Sequence, residues 1–371
     1  MKAAVISSPG VVEVVTVGDP VPGPREVVIE VAACGLCGTD LHIADGEFAP
    51  SLPVVPGHEF AGVVAEVGSA VEGVAPGARV AVDPSLYCHE CHYCRIGRGN
   101  LCARWGAIGV TSAGGAAEYA AVPAANCVPL PGHVSLADAA LIEPLSCAIH
   151  GYDVLASQLG SHVLIYGSGT MGLMMLQLAK ITGAVSVDVV DLNPERLATA
   201  RLLGCSGAAV TAGELDRPQG WELVIDATGS VAAITDGLGR VRPGGTFLQF
   251  GVSSPTARVT IEPYRIYHQE ITITGSMATR AVGDETPNWR NVPPGRVRPG
   301  PSVIAATLPV ASITRSQSCG RSSSSAVTAA PLQPRRWAVA SRSGFRSTTS
   351  TDTAPVSLAS CSIIRPIVPD P

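Results

Sequence analysis

The sequence predicts an α/β protein in which a β-rich N-terminal domain precedes a domain built on a parallel sheet. Residues 1–145 contain short runs of β-branched residues, such as REVVIEVAAC and EFAGVVAEVG, separated by Gly and Pro, a pattern typical of strands joined by turns. From about residue 148, apolar strands such as HVLIY and ELVIDATG alternate with helical segments such as MGLMMLQLAKITG. This alternation favours a parallel sheet. We therefore expect one domain over 1–145 and a second over 146–279.

Length, charge and cysteine content narrow the class of protein. The 371 residues are enough for two domains. A net charge of −5 gives no reason to expect nucleic acid or an anionic membrane as a partner. The chain has no apolar run of about 18 residues and no signal-peptide pattern at its start, so we expect a cytoplasmic protein. Without a secretion signal, the clustering of its eleven cysteines indicates metal ligation rather than disulfides.

The last part of the chain, 280–371, differs from the rest. Residues 286–371 contain ten arginines, no lysine and only two acids, Asp352 and Asp370. Ser, Pro and Thr are abundant, and no helical or strand period persists. Composition predicts a disordered, low-complexity tail.

A glycine-rich turn predicts a dinucleotide site in the second domain. Gly167, Gly169 and Gly172 form a G-x-G-x-x-G motif that follows the strand HVLIY and opens a helix. In such a motif the glycines permit a tight turn and a close approach of the pyrophosphate to the helix N-terminus. Asp191, 24 residues after Gly167, ends the next strand, where a carboxylate binds ribose hydroxyls and repels a 2′-phosphate. This favours NAD over NADP, although Asp191 could instead cap the next helix. Nearby Arg196 could contact the ribose or a phosphate.

Four cysteines at short spacing predict a closed metal site. They form a C-x2-C-x2-C-x7-C pattern at Cys88, Cys91, Cys94 and Cys102. Four thiolates can surround one tetrahedral zinc with no open position, as in structural zinc sites. An iron–sulfur cluster is the alternative on spacing alone, but nothing else in the sequence suggests electron transfer.

A second metal site can be assembled from residues far apart in the sequence. Cys37 lies in C-G-L-C-G-T-D, His58 and Glu59 lie in G-H-E-F-A-G, and Glu143 lies in L-I-E-P-L. Thiolate, imidazole and carboxylate are ordinary zinc donors, and a catalytic zinc needs about three of them and one open position. Taken singly, each residue would more often be a buried thiol, a core histidine or a helix-start acid.

Together these motifs resemble the zinc-containing medium-chain alcohol dehydrogenases. The run Gly57–Gly62, the C-G-T-D-L-H segment, the four-cysteine lobe at 88–102 and the dinucleotide motif occur in that family's order over residues 1–277. The resemblance implies a GroES-like catalytic domain and a doubly wound Rossmann domain. Classical members have Cys at the position of Glu143. With Glu at this position, the chain resembles the polyol branch, which acts on sorbitol or arabinitol.

The resemblance also implies roles for individual residues. Cys37, His58 and Glu143 fall on zinc positions, with Glu143 bound directly or through water, and Glu59 falls on an alternate ligand or neighbouring acid. Thr39 and His42 fall on the relay that takes the substrate proton through the cofactor ribose to solvent. The family implies two zinc ions per subunit, NAD, a small alcohol or polyol substrate, and a homo-dimer or homo-tetramer.

The family's C-terminal elements are not recognisable after Met277. The composition from about residue 280 resembles a GC-rich gene translated in a shifted frame. The alternative function is therefore an inactive or unstable product of a frameshifted dehydrogenase gene.

Overall fold

The computed structural model describes residues 1–47, 52–155 and 159–279. The predicted low-complexity tail, 280–371, lies outside the described residues. The chain forms two compact units. Within the described residues, one unit contains Met1–Leu86 and Gly106–Leu141, and the other contains Tyr87–Trp105 and 142–279. Among the described residues, no helix is both long and apolar enough to cross a membrane.

The first unit is a β-rich body, as the β-branched runs predict. Its strands, in chain order, are β1 (Lys2–Ser8), β2 (Val11–Thr16), β3 (Glu26–Gly35), β4 (Glu59–Val67), β5 (Arg79–Val82), β6 (Ser85–Leu86), β7 (Gly106–Ala107), β8 (Tyr119–Pro123) and β9 (Cys127–Pro129). The short helices of this part of the chain are α1 (Gly38–Ala44), α2 (His92–Arg95), which lies in the cysteine lobe, and α3 (Leu136–Ala139). Five strands form an antiparallel sheet in the order β8-β3-β4-β5-β9. Apolar side chains such as Val27, Ile29 and Phe60 fill its core.

The pairing of β3 with β4 determines which loops meet. Gly35 at the end of β3 is opposite Glu59 at the start of β4, and Cys34 is opposite Phe60. The segment that follows β3 therefore begins beside the segment that leads into β4. Residues 37 and 58, which are far apart in sequence, are brought to the same end of the sheet.

The second unit is built on a parallel sheet. Its elements are α4 (Ile142–Asp153), β10 (His162–Tyr166), α5 (Thr170–Ile181), β11 (Ser186–Val190), α6 (Pro194–Leu202), β12 (Gly207–Ala209), β13 (Trp221–Asp226), α7 (Val231–Arg240), β14 (Val241–Gln249), α8 (Pro263–Gln269) and β15 (Thr272–Gly275). The strand order is β12-β11-β10-β13-β14-β15, with every pair parallel. The order reverses between β10 and β13, where doubly wound sheets bind their ligands. The predicted fold class is confirmed.

The cysteine lobe groups with the second unit. Asn100, which is buried, donates a hydrogen bond to the carbonyl of Met277 at 3.3 Å, and its amide nitrogen lies 3.4 Å from Nε2 of His150. These long-range contacts connect the lobe to α4 and to the end of β15. The predicted domain boundaries at 145 and 279 remain predictions.

Candidate metal centres and dinucleotide site

Three predicted ligands meet in the first unit. One donor atom each from Cys37, His58 and Glu59 lies within 4.8 Å of the other two. His58 and Glu59 are buried, with 7% and 2% of their surface exposed. A thiolate and a carboxylate placed beside an imidazole carry negative charge that a bound cation would compensate. The donor set fits a zinc ion with one exchangeable position.

Asp40 connects the two loops that supply these ligands. Its Oδ2 accepts a hydrogen bond from the backbone N–H of Cys37 at 2.8 Å, and its Oδ1 accepts one from the N–H of Gly57 at 3.2 Å. Oδ1 also lies 3.6 Å from Nδ1 of His58. A carboxylate that faces Nδ1 leaves Nε2 as the nitrogen that can ligate a metal. Sequence reasoning missed Asp40, although an acid three residues after the N-cap of a helix is a recognisable capping signal.

The pKa values of His58 and Cys34 are both raised, but for different physical reasons. Burial lowers the pKa of His58, but the side chains of Asp40 and Cys37 outweigh burial and hold this pKa well above its usual range. Burial raises the pKa of the Cys34 thiol, and this thiol donates to the carbonyl of Gly35 at 3.5 Å. Cys34 therefore behaves as a buried core thiol, while Cys37 is part of the metal-binding group.

Asp40→Asn is expected to weaken zinc binding at the Cys37 site by about 10–100-fold. Loss of the outer carboxylate lowers the basicity of His58 and leaves the orientation of its ring less fixed. The amide oxygen of asparagine can still accept a backbone hydrogen bond, so the fold should survive. Competition with a chromophoric chelator measures the affinity. Asp45→Asn, at the exposed end of the same helix, is the control. Equal zinc affinity in the Asp40 variant and the control contradicts the role of Asp40.

The predicted relay residues lie on the helix that begins at Cys37. Thr39 Oγ1 is 3.6 Å from Cys37 Sγ. His42 is three residues further on, on the same face of α1, and its Nδ1 lies 2.5 Å from Oε2 of Glu47. His42 is half-buried rather than fully exposed. The relay role of both residues remains a prediction.

Glu143 belongs to the second unit, in the first turn of α4. Its Oε1 accepts a hydrogen bond from the Cys147 thiol at 3.2 Å, one helical turn away. Its predicted role as a zinc ligand, direct or through water, remains a prediction.

The four lobe cysteines form a cluster that fits a tetrahedral ion. Their sulfur atoms lie within 4.8 Å of one another. The distances are 3.9 Å for Cys88–Cys94, 3.6 Å for Cys91–Cys94 and 3.9 Å for Cys91–Cys102. A tetrahedral zinc with Zn–S bonds of about 2.3 Å requires sulfur separations of about 3.8 Å. The interleaved His89 and His92 are exposed and lie outside this cluster.

Backbone hydrogen bonds and burial shift the pKa values of two lobe thiols in opposite directions. The N–H of Cys91 donates to Cys88 Sγ at 3.4 Å and lowers the pKa of that thiol to about 6. Burial, together with the neighbouring thiols, raises the pKa of Cys94 to about 12. Four adjacent thiolates repel one another unless a cation lies between them, so this donor set fits a structural zinc.

The glycine-rich turn has the geometry that the fingerprint predicts. A Cβ on Gly172 would lie 1.8 Å from the carbonyl oxygen of Gly167, so the helix packs directly on the turn. A Cβ on Gly169 would meet no protein atom within 4 Å, which leaves this backbone open to a ligand. Gly169 is the N-cap of α5, whose N-terminus can bind an anion.

Asp191 is held at the end of β11 by the same turn. Its Oδ2 accepts from the backbone N–H and hydroxyl of Ser168 at 2.7 and 3.0 Å, and its Oδ1 accepts from the N–H of Asn193 at 2.8 Å. Asn193, not Asp191, caps helix α6, because its side chain accepts from the N–H groups of Glu195 and Arg196. Asp191 nevertheless accepts from the N–H of Asn193 at the start of this helix, so its alternative role at the helix start also remains a prediction. The cofactor roles of Asp191 and Arg196 remain predictions.

Two family models match the chain. The model of the alcohol dehydrogenase GroES-like domain matches residues 23–132, and that of the zinc-binding dehydrogenase matches residues 170–292. The similarity thus runs past the 277 residues over which the motifs predict it. Beyond the tail after residue 292, which neither model matches, nothing in these comparisons supports the alternative of an inactive frameshift product.

The individual proteins that the chain resembles are also dehydrogenases. The chain is 39% identical to D-arabinitol dehydrogenase 1 of Uromyces fabae over 267 residues, which are 68% of this chain and 75% of that protein. The structure superposes with a TM-score of 0.72 and 37% identity on a zinc-binding dehydrogenase of Sinorhizobium meliloti 1021 bound to NADP, covering 76% of this chain and 85% of that one. An alcohol dehydrogenase of E. coli CFT073 complexed with NADH gives 0.68 and 32%, covering 75% and 84%.

Proposed function

Because the chain belongs to the zinc-binding alcohol dehydrogenase family, we propose that it oxidises a secondary hydroxyl of a polyol to a ketone and transfers the hydride to NAD. Membership makes the chain a zinc-dependent oxidoreductase that uses NAD or NADP. The observation that carries the proposal is the group formed by the half-buried Cys37 and the buried His58 and Glu59, whose donor atoms lie within 4.8 Å of one another.

The predicted site residues would divide the work. A bound zinc supplies Lewis acidity, which lowers the pKa of a substrate hydroxyl. Cys37 and His58 would hold the metal, Glu59 would be an alternate ligand, and Glu143 would be a further ligand directly or through water. Thr39 would accept the hydroxyl proton while donating its own, and the proton would pass through the cofactor ribose to His42 and solvent. NAD supplies the hydride acceptor.

The preference for NAD over NADP is supported by Asp191. Three hydrogen bonds, from Ser168 and Asn193, fix its carboxylate at the end of β11. A fixed carboxylate at this point of a doubly wound sheet can bind ribose hydroxyls and repels a 2′-phosphate. Similar structures contain either NADP or NADH, so the preference depends on this residue rather than on the family.

Three features support a polyol substrate. The relative D-arabinitol dehydrogenase 1 acts on a polyol, as its name states, and glutamate at position 143 is typical of the polyol branch. The buried carboxylate of Glu59 adds polarity beside the ligand group.

An NAD-linked absorbance assay on zinc-replete protein tests the proposal. The panel contains D-arabinitol, sorbitol, xylitol, L-threonine and simple secondary alcohols. We expect kcat/KM for at least one polyol to exceed that for simple alcohols by about tenfold or more, since a site with polar groups discriminates strongly against substrates that leave them unpaired. We also expect NAD to be preferred over NADP. Turnover of threonine alone contradicts the substrate class, and no turnover at full zinc occupancy supports the inactive alternative.

We further propose a cytoplasmic homo-oligomer. None of the nine cysteines in the described residues forms a disulfide, as is usual for proteins of a reducing compartment. Members of the family assemble as dimers or tetramers. Light scattering on the purified full chain tests the oligomer.

A further inference from the structure

Helix α1 ends in a turn that places Glu47 back against the helix. The N–H of Gly46 donates to the carbonyl of Ile43 at 3.0 Å, and the N–H of Glu47 donates to the carbonyl of His42 at 2.8 Å. This pair of bonds is the Schellman motif, which requires a left-handed residue after the C-cap. Gly46 supplies it with a φ of +81°. The backbone of Glu47 is therefore anchored on His42.

The side chain of Glu47 returns to the same residue. Its Oε2 lies 2.5 Å from Nδ1 of His42. The His42 side chain is half-buried, with 21% of its surface exposed, whereas the Glu47 side chain is exposed, at 37%. An ionised carboxylate can only accept hydrogen bonds, so Nδ1 of His42 must carry the proton in this contact. In the neutral ring Nε2 is then the nitrogen with a lone pair.

We propose that Glu47 is a positioning residue for the proton relay. It holds the ring of His42 in one orientation and one tautomer, so that Nε2 receives the proton that leaves the substrate. The proton then passes from Nε2 to water, and Nδ1 keeps its own proton throughout. While the imidazolium exists, the carboxylate stabilises its charge, as the aspartate of a Ser-His-Asp triad does. This inference rests on the proposed function, because it needs His42 in the relay.

The neighbourhood provides a matched control. Asp45 is the C-cap of α1, is exposed, and lies two residues from Glu47. Asp45→Asn removes one negative charge from the same turn and leaves the carboxylate at Nδ1 in place. Any effect of Glu47 variants that comes only from net charge must appear equally in Asp45→Asn.

The test compares Glu47→Ala, Glu47→Gln and Asp45→Asn with the wild-type full chain. The first measurement is the tautomer of His42, read from nitrogen–proton correlations of protein labelled at histidine nitrogen, with His42→Gln assigning the signal. We expect the wild type and Asp45→Asn to have the proton on Nδ1, and Glu47→Ala to have a mixed population. Glu47→Gln, whose amide oxygen still accepts from Nδ1, should restore the tautomer.

The second measurement is steady-state oxidation of the best alcohol. Glu47→Ala should lower kcat by about tenfold with KM unchanged, part of the 10²–10⁴-fold that acid–base groups contribute. In a His42→Ala background it should have no further effect, since it acts through that ring. An unchanged tautomer, an unchanged kcat, or an equal loss in Asp45→Asn overturns the inference. If the wild type oxidises no alcohol, it is the proposed function that fails, and the tautomer measurement still shows whether Glu47 orients His42.

Discussion

Cys37→Ser is expected to reduce the dehydrogenase activity of zinc-replete protein by about three orders of magnitude or more, because metal polarisation contributes several kcal/mol to this kind of transition state. A serine hydroxyl remains protonated where a thiolate ligates zinc. The ligand group of the first unit then retains only His58 and Glu59. The helix should form as before: Cys37 is the N-cap of α1, and serine is a favoured N-cap residue. The substitution therefore removes a ligand without removing a structural element.

Cys34→Ala is the matched control for this prediction. Cys34 is buried in the core of the five-stranded sheet and its thiol bonds only to the neighbouring carbonyl among the contacts described. We expect the control to retain zinc and activity at a stability cost of about 1 kcal/mol from lost packing. Thermal unfolding and metal content are measured with the rates. A Cys37→Ser protein that keeps wild-type rates, or a Cys34→Ala protein that loses its zinc, contradicts the ligand assignment.

Gly172→Ala is expected to lower the stability of the fold, whereas Gly169→Ala is expected to weaken NADH binding, although the two residues are three apart in one motif. Gly172→Ala places a methyl group 1.8 Å from the carbonyl oxygen of Gly167. Backbone cannot move away as a flexible side chain does, so we expect a loss of about 3 kcal/mol or more in the free energy of unfolding. Gly169 has a φ of −70°, and no protein atom lies within 4 Å of the point where an alanine methyl group would be. Gly169→Ala should change stability by less than about 1 kcal/mol.

The affinity for NADH distinguishes the role of Gly169 in cofactor binding from the role of Gly172 in packing. The methyl group of Gly169→Ala would occupy the space through which the pyrophosphate approaches the backbone. We expect folded Gly169→Ala protein to bind NADH at least about tenfold more weakly, a loss of about 1.4 kcal/mol. Denaturant unfolding and a fluorescence titration with NADH measure the two effects. Normal NADH affinity in Gly169→Ala contradicts the placement of the cofactor on this turn, and wild-type stability in Gly172→Ala contradicts the packing.

Local signals account for what the sequence predicts well. The strands HVLIY and ELVIDATG become β10 and β13, because continuous apolar runs suit a sheet covered on both faces. The lobe cysteines are predictable because all four ligands lie within one short segment. His58 and Cys37 are harder, since only the register of β3 against β4 brings them together.

The roles of Asp40 and Glu47 are not visible in the sequence pattern. Each acts through geometry at an end of α1: Asp40 bonds two loops that converge in space, and Glu47 reaches His42 only because Gly46 adopts a left-handed conformation. Acids at such positions ordinarily read as helix caps or solvated residues. The sequence does not predict the substrate either, since substrate choice depends on the shape of a pocket rather than on the identity of the metal ligands.

The zinc content of purified, zinc-replete protein tests the central claim most directly. Two separate donor groups, at Cys37 and in the cysteine lobe, predict two zinc ions per chain in the wild type and one in Cys37→Ser. Cys88→Ser, in the lobe, should also retain one zinc ion, which is the ion at the Cys37 site. That site should keep its exchangeable ligand position. A folded wild-type protein that holds a single zinc, lost through Cys88→Ser and unaffected by Cys37→Ser, would contradict the account.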